Sequence, residues 1–189
     1  MKKRVLIIDN HDSFTYNLVS LLKILKAKVS LVQSTEIKSA KSLERFEFSH
    51  LLIAPGPNSP MEVPLCLEAI LHFKHKPILG VCLGYQCIVQ AYGGNITRLK
   101  EPKHGKIATI RHKKHPLFSK IPKDFAVCLY HSLYAKSLPP CLKSLAKSKE
   151  GVEMALAHKS YPTFGVQFHP EAILSTYGKK LFKNWLSLA

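Results

Sequence analysis

Short apolar runs alternate with helical patterns over the first half of this chain, and no other feature of the sequence restricts the fold as strongly. Four runs are compact, apolar and bounded by polar or turn residues, which is typical of strands buried on both faces of a sheet. They cover residues 4–9, 28–33, 50–57 and 77–81. Because strand alternates with helix, we predict a central, mostly parallel α/β sheet with helices on both faces.

The predicted helices carry apolar residues at helical spacing. They cover residues 14–25, 63–73, 83–93 and 176–188, and residues 38–48 are weakly helical. Ser13 is placed to cap the first helix, because its hydroxyl can accept a hydrogen bond from a free backbone N–H. Gly93 and Gly94 are expected to end the third helix. The side chains expected to point inward from the last helix are Tyr177, Leu181, Phe182 and Trp185.

The second half of the chain has a different pattern. Six short strand-like segments are separated by Pro, Gly and Lys turns; they are NITRL, KIATIR, FAVCLY, LKSLAK, VEMALAH and FGVQF. They predict a smaller antiparallel or mixed extension of the same sheet. A length of 189 residues, without an internal repeat or a long linker, predicts one domain over residues 1–189.

The chain is strongly basic, with 28 Lys and Arg against 12 Asp and Glu and a net charge of +16. An excess of this size can indicate nucleic-acid binding. Here the lysines are scattered and no nucleic-acid recognition motif is present, so we expect no nucleic-acid partner. A generally basic, solvated surface is the simpler interpretation, and a basic face that docks an acidic partner protein is the alternative.

The apolar runs and the cysteines restrict the compartment. No run approaches the roughly 18 residues that a membrane span needs, so we expect no membrane association. The basic start differs from a signal peptide, because Asp9 and Asp12 interrupt a stretch that is already too short. Five cysteines without a C-x-x-C pair argue against a disulfide framework or a structural zinc site. These features predict a cytoplasmic protein without a bound metal.

One cysteine stands where a predicted strand passes into a predicted helix. Gly80 and Gly84 flank Cys82 in a G-x-C-x-G pattern, which is the setting of a nucleophile elbow with Cys in the place of Ser. The glycines permit a sharp turn without Cβ clashes. The start of the following helix favours a thiolate and lowers the pKa of the cysteine, and the Leu83 N–H can stabilise an oxyanion. The other four cysteines have no such setting and are interpreted as packing residues.

A base for this nucleophile stands near the end of the chain, in GVQFHPE at residues 165–171. His169 follows an apolar strand and should emerge at one end of the sheet. Glu171 is two residues away and, in extended backbone, points to the same side, where it can hold the imidazole in one tautomer. Pro170 fixes the backbone between them. The pattern indicates cysteine-based acyl transfer, whereas an isolated Cys or His is more often a core or surface residue.

The motifs GVCLGYQ, APGP and GVQFHPE, in this order, resemble those of the triad-type, class I glutamine amidotransferases. DNHDSFTYNL and YHSL narrow the resemblance to the glutaminase subunit shared by anthranilate synthase and para-aminobenzoate (aminodeoxychorismate) synthase. It runs from Val5 to the last helix and implies a single flavodoxin-like domain. It also implies that L-glutamine is hydrolysed and that ammonia passes to a chorismate-binding synthase subunit in a heteromer, for tryptophan or folate biosynthesis.

The resemblance assigns catalytic roles to five residues. Cys82 is the implied nucleophile, His169 the general base and acid, and Glu171 the residue that orients the imidazole. The backbone N–H groups of Gly56 and Leu83 form the implied oxyanion hole. No cofactor is implied in this chain, because Mg²⁺ would belong to the synthase subunit.

Substrate binding is implied for Gly56, Gln86 and the backbone of Ser132 and Leu133. Gln86 has an additional argument, since it lies four residues after Cys82 and therefore on the same helical face. Two further segments, residues 9–14 and 104–106, match those that face the synthase subunit in such complexes.

The chain departs from the family's pattern at four places. Tyr85 stands where the family usually has His, His11 where it usually has Tyr, and Ala172 where Ser commonly follows the triad Glu. Residues 58–67 lack the family's usual acidic and glycine residues. We expect the first three to alter packing around the nucleophile and the last to alter docking. None removes a residue that the mechanism requires.

Two other functions are compatible with these residues. A γ-glutamyl hydrolase, or another cysteine hydrolase on a related fold, would use the same nucleophile, but YHSL and DNHDSF argue against it. A regulatory or binding subunit that retained the fold would not need the complete set of Cys82, His169 and Glu171. Glutamine-dependent release of glutamate separates these alternatives.

Overall fold

The computed structural model describes residues 2–57 and 59–188, so Met1, Asn58 and Ala189 lie outside the described residues. The first half of the chain has the predicted alternation. Its strands are β1 (Arg4–Asp9), β2 (Lys28–Gln33), β3 (His50–Ile53) and β4 (Ile78–Val81), and its helices are α1 (Thr15–Ile24), α2 (Pro64–His72) and α3 (Leu83–Ala91). Short 3-10 helices cover Ala40–Arg45, in place of the weak helical pattern, and Pro60–Glu62.

The second half contains the remaining strands and the last helix. They are β5 (Asn95–His112), β6 (Asp124–Ser137), β7 (Leu142–Ser148), β8 (Glu153–His158), β9 (Thr163–Val166) and α4 (Gly178–Ser187), with a 3-10 helix at Pro116–Phe118. The prediction of separate strands for NITRL and KIATIR is wrong, because both lie in β5. Shifts of register against β6, between Arg98 and Lys103 and between His104 and Lys106, absorb the intervening turn residues without ending the strand.

All nine described strands belong to one sheet, in the order β2-β1-β3-β4-β9-β8-β7-β5-β6. The first five are parallel to one another, and the remaining pairings are antiparallel. Strand β9 pairs in parallel with β4 and antiparallel with β8, so it joins the two parts. The predicted α/β class is confirmed, and the antiparallel extension consists of the four strands β8, β7, β5 and β6.

Helices cover both faces of the parallel part. Along β1, Val5 and Ile7 lie in one apolar cluster with side chains of α1 and α4, whereas Leu6 and Ile8 lie in a second cluster with side chains of α2 and α3. This division follows from the strand, whose successive side chains point to opposite faces. The carboxyl ends of β4 and β9 therefore lie side by side between two helical layers.

The ends of two helices differ from the prediction. Ser13 does not cap α1, because the helix begins at Thr15 with Phe14 in the N-cap position and without a side-chain cap. Asp12 instead stabilises the turn before the helix, because its Oδ1 accepts a hydrogen bond from the Phe14 N–H at 2.8 Å. Helix α4 begins at Gly178, later than expected. No described helix combines the length and the apolar character needed to cross a membrane.

Candidate active site

Cys82 lies between β4 and α3 with a φ of 52° and a ψ of −101°, which is the sharp turn expected of a nucleophile elbow. A positive φ is uncommon for residues other than glycine and persists only where the surrounding structure imposes it. Here the flanking glycines impose it through close packing. A Cβ on Gly80 would lie 2.3 Å from the Gly84 carbonyl oxygen, and one on Gly84 would lie 2.3 Å from the Ile53 carbonyl oxygen. Neither position therefore admits a side chain.

The Cys82 side chain is buried, and its sulfur has two long polar contacts. Sγ donates to the Tyr130 carbonyl at 3.7 Å, and Gln167 Nε2 donates to Sγ at 3.8 Å. Within the described part of the chain, the neighbouring Leu83 N–H has no hydrogen-bond partner. This follows from its position, because the first N–H groups of a helix have no intrahelical acceptor.

His169 and Glu171 form a buried pair. Nδ1 of His169 and Oε1 of Glu171 are 2.7 Å apart, and the two side chains are 2% and 0% exposed. The predicted contact is present, but its assumed geometry is wrong. The backbone is turned rather than extended, and the Ala172 N–H donates to the His169 carbonyl at 3.2 Å. Pro170 suits this arrangement, because its fixed φ is favoured at the second position of a turn.

Opposing effects set the pKa of His169. Burial lowers the pKa, whereas hydrogen bonding with Cys82 and Glu171, and the charges of both side chains, raise it well above the ordinary 6.5. Nδ1 is engaged by Glu171, and Nε2 is buried without a well-aligned hydrogen bond to a described residue. One nitrogen is thus fixed, and the other is free to exchange a proton with the adjacent thiol.

Two aromatic rings pack against the imidazole. The ring centroids of Phe14 and Tyr130 lie 5.3 Å and 5.5 Å from that of His169, and 5.0 Å from each other. Because Phe14 belongs to the segment that leads into α1, the loop after β1 contacts the base directly. These rings restrict the orientation of the imidazole and limit access of water to it.

Ser175 holds the backbone of the histidine. Its Oγ donates to the His169 carbonyl at 2.5 Å and accepts from the Cys128 N–H at 3.0 Å. Gly178 lies against the same turn, since a Cβ there would be 1.6 Å from the Pro170 carbonyl oxygen. Neither residue was predicted from the sequence. The only available signal was that a polar residue and a glycine follow the His-Pro-Glu segment closely.

A cavity of about 100 Å³ opens above the cysteine. It brings together Cys82 and the residues predicted to bind substrate, namely Gly56, Gln86, Ser132 and Leu133. Pro57, His104, Tyr130 and His131 complete the lining. His104 therefore faces this cavity from an irregular part of β5.

The Gly56 loop is held by Asn10, which the sequence placed only in the segment expected to face the synthase subunit. Asn10 Nδ2 donates to the Ala54 carbonyl at 2.9 Å, and its Oδ1 accepts from Cys66 Sγ at 3.2 Å. Gly56 itself packs so closely that a Cβ would lie 2.6 Å from the Leu83 side chain and 2.7 Å from the Asn10 Cβ. Its N–H has no hydrogen-bond partner among residues 2–57 and 59–188. The signal for Asn10 was its place as the first residue after β1.

Gln86 uses its amide nitrogen within the protein. Nε2 donates to the Leu133 carbonyl at 3.1 Å and to Gln167 Oε1 at 3.3 Å. Both amide protons are thereby engaged, so Oε1 is the atom with capacity for a ligand donor. His131 lies beside it with Nδ1 2.8 Å from the Leu133 carbonyl, and burial lowers the pKa of its imidazole. His131 is thus favoured as a neutral group in the cavity wall.

Of the departures from the family pattern, Tyr85 fits into this packing, whereas His11 lies exposed at the surface. Tyr85 is fully buried below the nucleophile, where its hydroxyl donates to the Glu153 carbonyl at 3.2 Å. His11 has a φ of 60° and places its Nε2 3.0 Å from Thr35 Oγ1. The arrangement as a whole joins a thiol, an imidazole, a buried carboxylate and two unpaired N–H groups, which is the equipment for acyl transfer.

Comparison with known proteins identifies the family. The model of the class-I glutamine amidotransferases matches residues 6–188. The chain is 42% identical to the bifunctional protein TrpGD of Thermotoga maritima over 191 residues. The aligned region covers 98% of this chain and 32% of that protein. It is also 42% identical to aminodeoxychorismate/anthranilate synthase component 2 of Bacillus subtilis over 185 residues. The aligned region covers 96% of this chain and 95% of that protein.

A solved structure agrees on the fold. A Thermoplasma acidophilum protein described as a GMP synthase subunit superposes with a TM-score of 0.88 at 22% identity, covering 100% of this chain and 94% of the other. At 22% identity this structural similarity shows a shared fold only. The family model and the curated relatives, in contrast, match at the level of sequence. This chain belongs to the class-I glutamine amidotransferase family.

Proposed function

We propose that this protein is the glutaminase subunit of a chorismate-using synthase, which it supplies with ammonia. The observation that carries the proposal is the meeting of a strained cysteine with a buried histidine–carboxylate pair at the carboxyl ends of adjacent strands. The residues come from opposite halves of the chain; Cys82 lines the cavity, and Tyr130 of the same lining packs against the imidazole of His169. Cys82, His169 and Glu171 are the proposed catalytic residues.

The first half of the reaction forms a thioester. The thiol proton passes to Nε2 of His169, and Sγ of Cys82 attacks the side-chain carboxamide carbon of L-glutamine. The carbonyl oxygen becomes an oxyanion, for which the unpaired N–H groups of Gly56 and Leu83 are the proposed donors. As the intermediate collapses, the imidazolium returns its proton to the leaving nitrogen. Ammonia departs and a γ-glutamyl thioester is left on the sulfur.

The second half releases glutamate. His169 takes a proton from water, the resulting hydroxide attacks the thioester carbon, and the sulfur leaves with the proton that the imidazole returns. Glu171 supports both halves, because its buried carboxylate fixes the tautomer and stabilises the imidazolium. The raised pKa of His169 supports this role, since it favours transfer of the thiol proton to the imidazole.

The cavity lining supports glutamine as the substrate. We assign the Gly56 backbone, the free Oε1 of Gln86 and the backbone of Ser132 and Leu133 to the substrate. An acceptor such as Oε1 suits the ammonium or amide hydrogens of an amino acid. The proposal needs no cofactor in this chain, and Mg²⁺ would belong to the synthase subunit.

The synthase partner is inferred from the relatives. The names of curated relatives include both anthranilate and aminodeoxychorismate synthases. We therefore propose a cytoplasmic heteromer in which residues 1–189 act as one amidotransferase domain. The product is anthranilate, 4-amino-4-deoxychorismate or both, for tryptophan or folate biosynthesis.

The test uses this chain purified with its synthase subunit. Cys82→Ala should abolish glutamine-dependent amination of chorismate but leave ammonia-dependent amination intact, because only the first needs the thiol. Cys141→Ala is the matched control, since this half-buried cysteine lies away from the cavity. Loss of the ammonia-dependent reaction from an assembled Cys82→Ala complex would contradict the division of labour.

The same assay separates the two alternatives. A γ-glutamyl hydrolase would release glutamate from γ-glutamyl peptides in preference to L-glutamine. A regulatory subunit would give no glutamine-dependent glutamate release in the assembled complex.

A further inference from the structure

A second and larger cavity, of about 1530 Å³, lies away from the catalytic cysteine. Its walls are the end of β5, the connection from β5 to β6 and the strand β7. None of the described residues that line it also lines the catalytic cavity. Asp124 of this cavity and Tyr130 of the catalytic one are six residues apart on β6, which corresponds to about 20 Å along a strand.

The charge of this cavity is almost entirely of one sign. Asp124 is the only acidic residue of the described lining, and it pairs with Arg111 at 2.8 Å. Lys147 is also paired, with Glu153 at 2.8 Å. Five lysines of the lining have no carboxylate of a described residue within 4 Å; they are Lys113, Lys114, Lys120, Lys123 and Lys149. We call this feature the lysine groove.

Unpaired charges of one sign in a concave wall act together. Their repulsion destabilises the empty surface, and the low-dielectric walls concentrate their field on whatever enters. An anionic occupant relieves the repulsion and is attracted from a distance. The lysines of the groove contribute part of the net charge of +16, and none of them lines the catalytic cavity.

The side chains favour carboxylates on a peptide over a nucleic acid. The guanidinium of Arg111, the group best suited to bidentate contacts with phosphate, is already bound by both oxygens of Asp124 at 2.8 and 3.1 Å. The phenyl ring of the described lining, that of Phe118, is 2% exposed and stacked on the ring of His112, so it offers little surface on which a base could stack. What the groove offers is a set of flexible ammonium groups around an extended concave surface whose own area is mostly apolar.

We propose that the lysine groove binds an acidic, Asp- and Glu-rich segment of a partner protein. Each ammonium group would contact a carboxylate at the rim, and the segment would lie along the cleft between the β5–β6 connection and β7. The site is separate from the catalytic cavity, so an occupant does not compete with glutamine.

Binding of a fluorescein-labelled peptide of alternating glutamate and alanine, followed by fluorescence anisotropy at low salt, tests the proposal. The groove variant is Lys113→Gln/Lys114→Gln/Lys120→Gln. The control variant is Lys23→Gln/Lys28→Gln/Lys41→Gln, which removes the same charge from exposed positions near the opposite edge of the sheet. We expect the groove variant to bind about tenfold more weakly and the control variant to change less than about twofold.

Three results would overturn the proposal. They are equal weakening in both variants, no measurable binding by the wild-type chain, and tighter binding of labelled oligothymidylate that depends on the same lysines. Equal Tm values of the three proteins, followed by circular dichroism, show that the substitutions leave the fold intact. The peptide measurement needs no catalysis, so its failure and a failure of the proposed glutaminase function are distinguishable.

Discussion

Gly178, the first residue of α4, is the position at which a single methyl group should do most damage to the candidate site. A Cβ there would lie 1.6 Å from the Pro170 carbonyl oxygen and 2.6 Å from its carbonyl carbon. Ordinary contacts between carbon and oxygen are about 3.3 Å or longer. The helix or the His169–Glu171 turn must therefore move by about 1.7 Å in Gly178→Ala.

Two effects on stability oppose each other in this variant. Alanine is favoured over glycine within a helix by about 1 kcal/mol, whereas overpacking typically costs about 1–3 kcal/mol. The obstacle is backbone rather than a flexible side chain, so we expect the steric cost to exceed the helical gain by about 1–2 kcal/mol. For a chain of this length, that lowers the Tm by about 2–8 °C.

Activity should fall by more than the loss of stability alone would produce. Misplacement of a catalytic group by about 1 Å can reduce the rate about 100-fold. We therefore expect the kcat of Gly178→Ala for glutamate release to fall by about 10–100-fold at a temperature where the variant is folded. The assay is glutamate release by the complex with the synthase subunit, with the Tm followed by circular dichroism.

Gly151→Ala is the matched control for this experiment. Gly151 has a φ of +82° and open space around its Cα, so alanine there is strained without meeting a neighbour. The strain costs about 1–2 kcal/mol, but the position lies in the loop between β7 and β8. We expect a similar loss of stability with an unchanged kcat. A Gly178→Ala variant as active as the wild type, or equal losses of kcat in the two variants, would refute the reasoning.

Three further predictions concern buried polar groups. Burial, and then the charge of Lys3, lower the pKa of His50 from 6.5 to about 4. The unfolded chain therefore accepts a proton on His50 more readily than the folded protein does, and the free energy of unfolding falls by about 3 kcal/mol as the pH drops from 6.5 to 4. In His50→Gln, the free energy of urea unfolding should depend less on pH over this range. An unchanged slope would contradict this. Asn10→Ala should lower kcat about tenfold without changing the rate at which iodoacetamide alkylates Cys82. A parallel fall in kcat and in the alkylation rate would argue against a positioning role for Asn10. Ser175→Ala should cost about 1–3 kcal/mol in urea unfolding, because a buried backbone N–H loses its acceptor; a change below about 0.5 kcal/mol would not fit.

The parallel half of the fold could be predicted because its signals are local. A buried strand such as β1 is a compact apolar run, and the helix after it has its own periodicity, so each element is visible within about ten residues. The antiparallel half depends on pairing between distant segments. Strand β5 continues through Pro102 and Gly105 because β6 lies alongside it and accommodates the shifts of register. Nothing within the segment itself indicates that continuity.

The candidate site divides in the same way. Cys82 and His169 could be placed at strand ends because each follows an apolar run directly. Asn10, Ser175 and Gly178 act through contacts with segments far away or across a turn. Even for Asn10, which lies within DNHDSFTYNL, only the folded geometry identifies this role.

The central claim is that Cys82 carries the glutamyl group during turnover, and acid quenching followed by peptide mass spectrometry tests it most directly. The complex is mixed with L-glutamine, quenched within its turnover time and digested. The account predicts one γ-glutamyl group on the peptide that contains Cys82, and none in Cys82→Ala. A glutamyl group on another cysteine, or sustained glutamate release with no modified Cys82 peptide at any quench time, would contradict it.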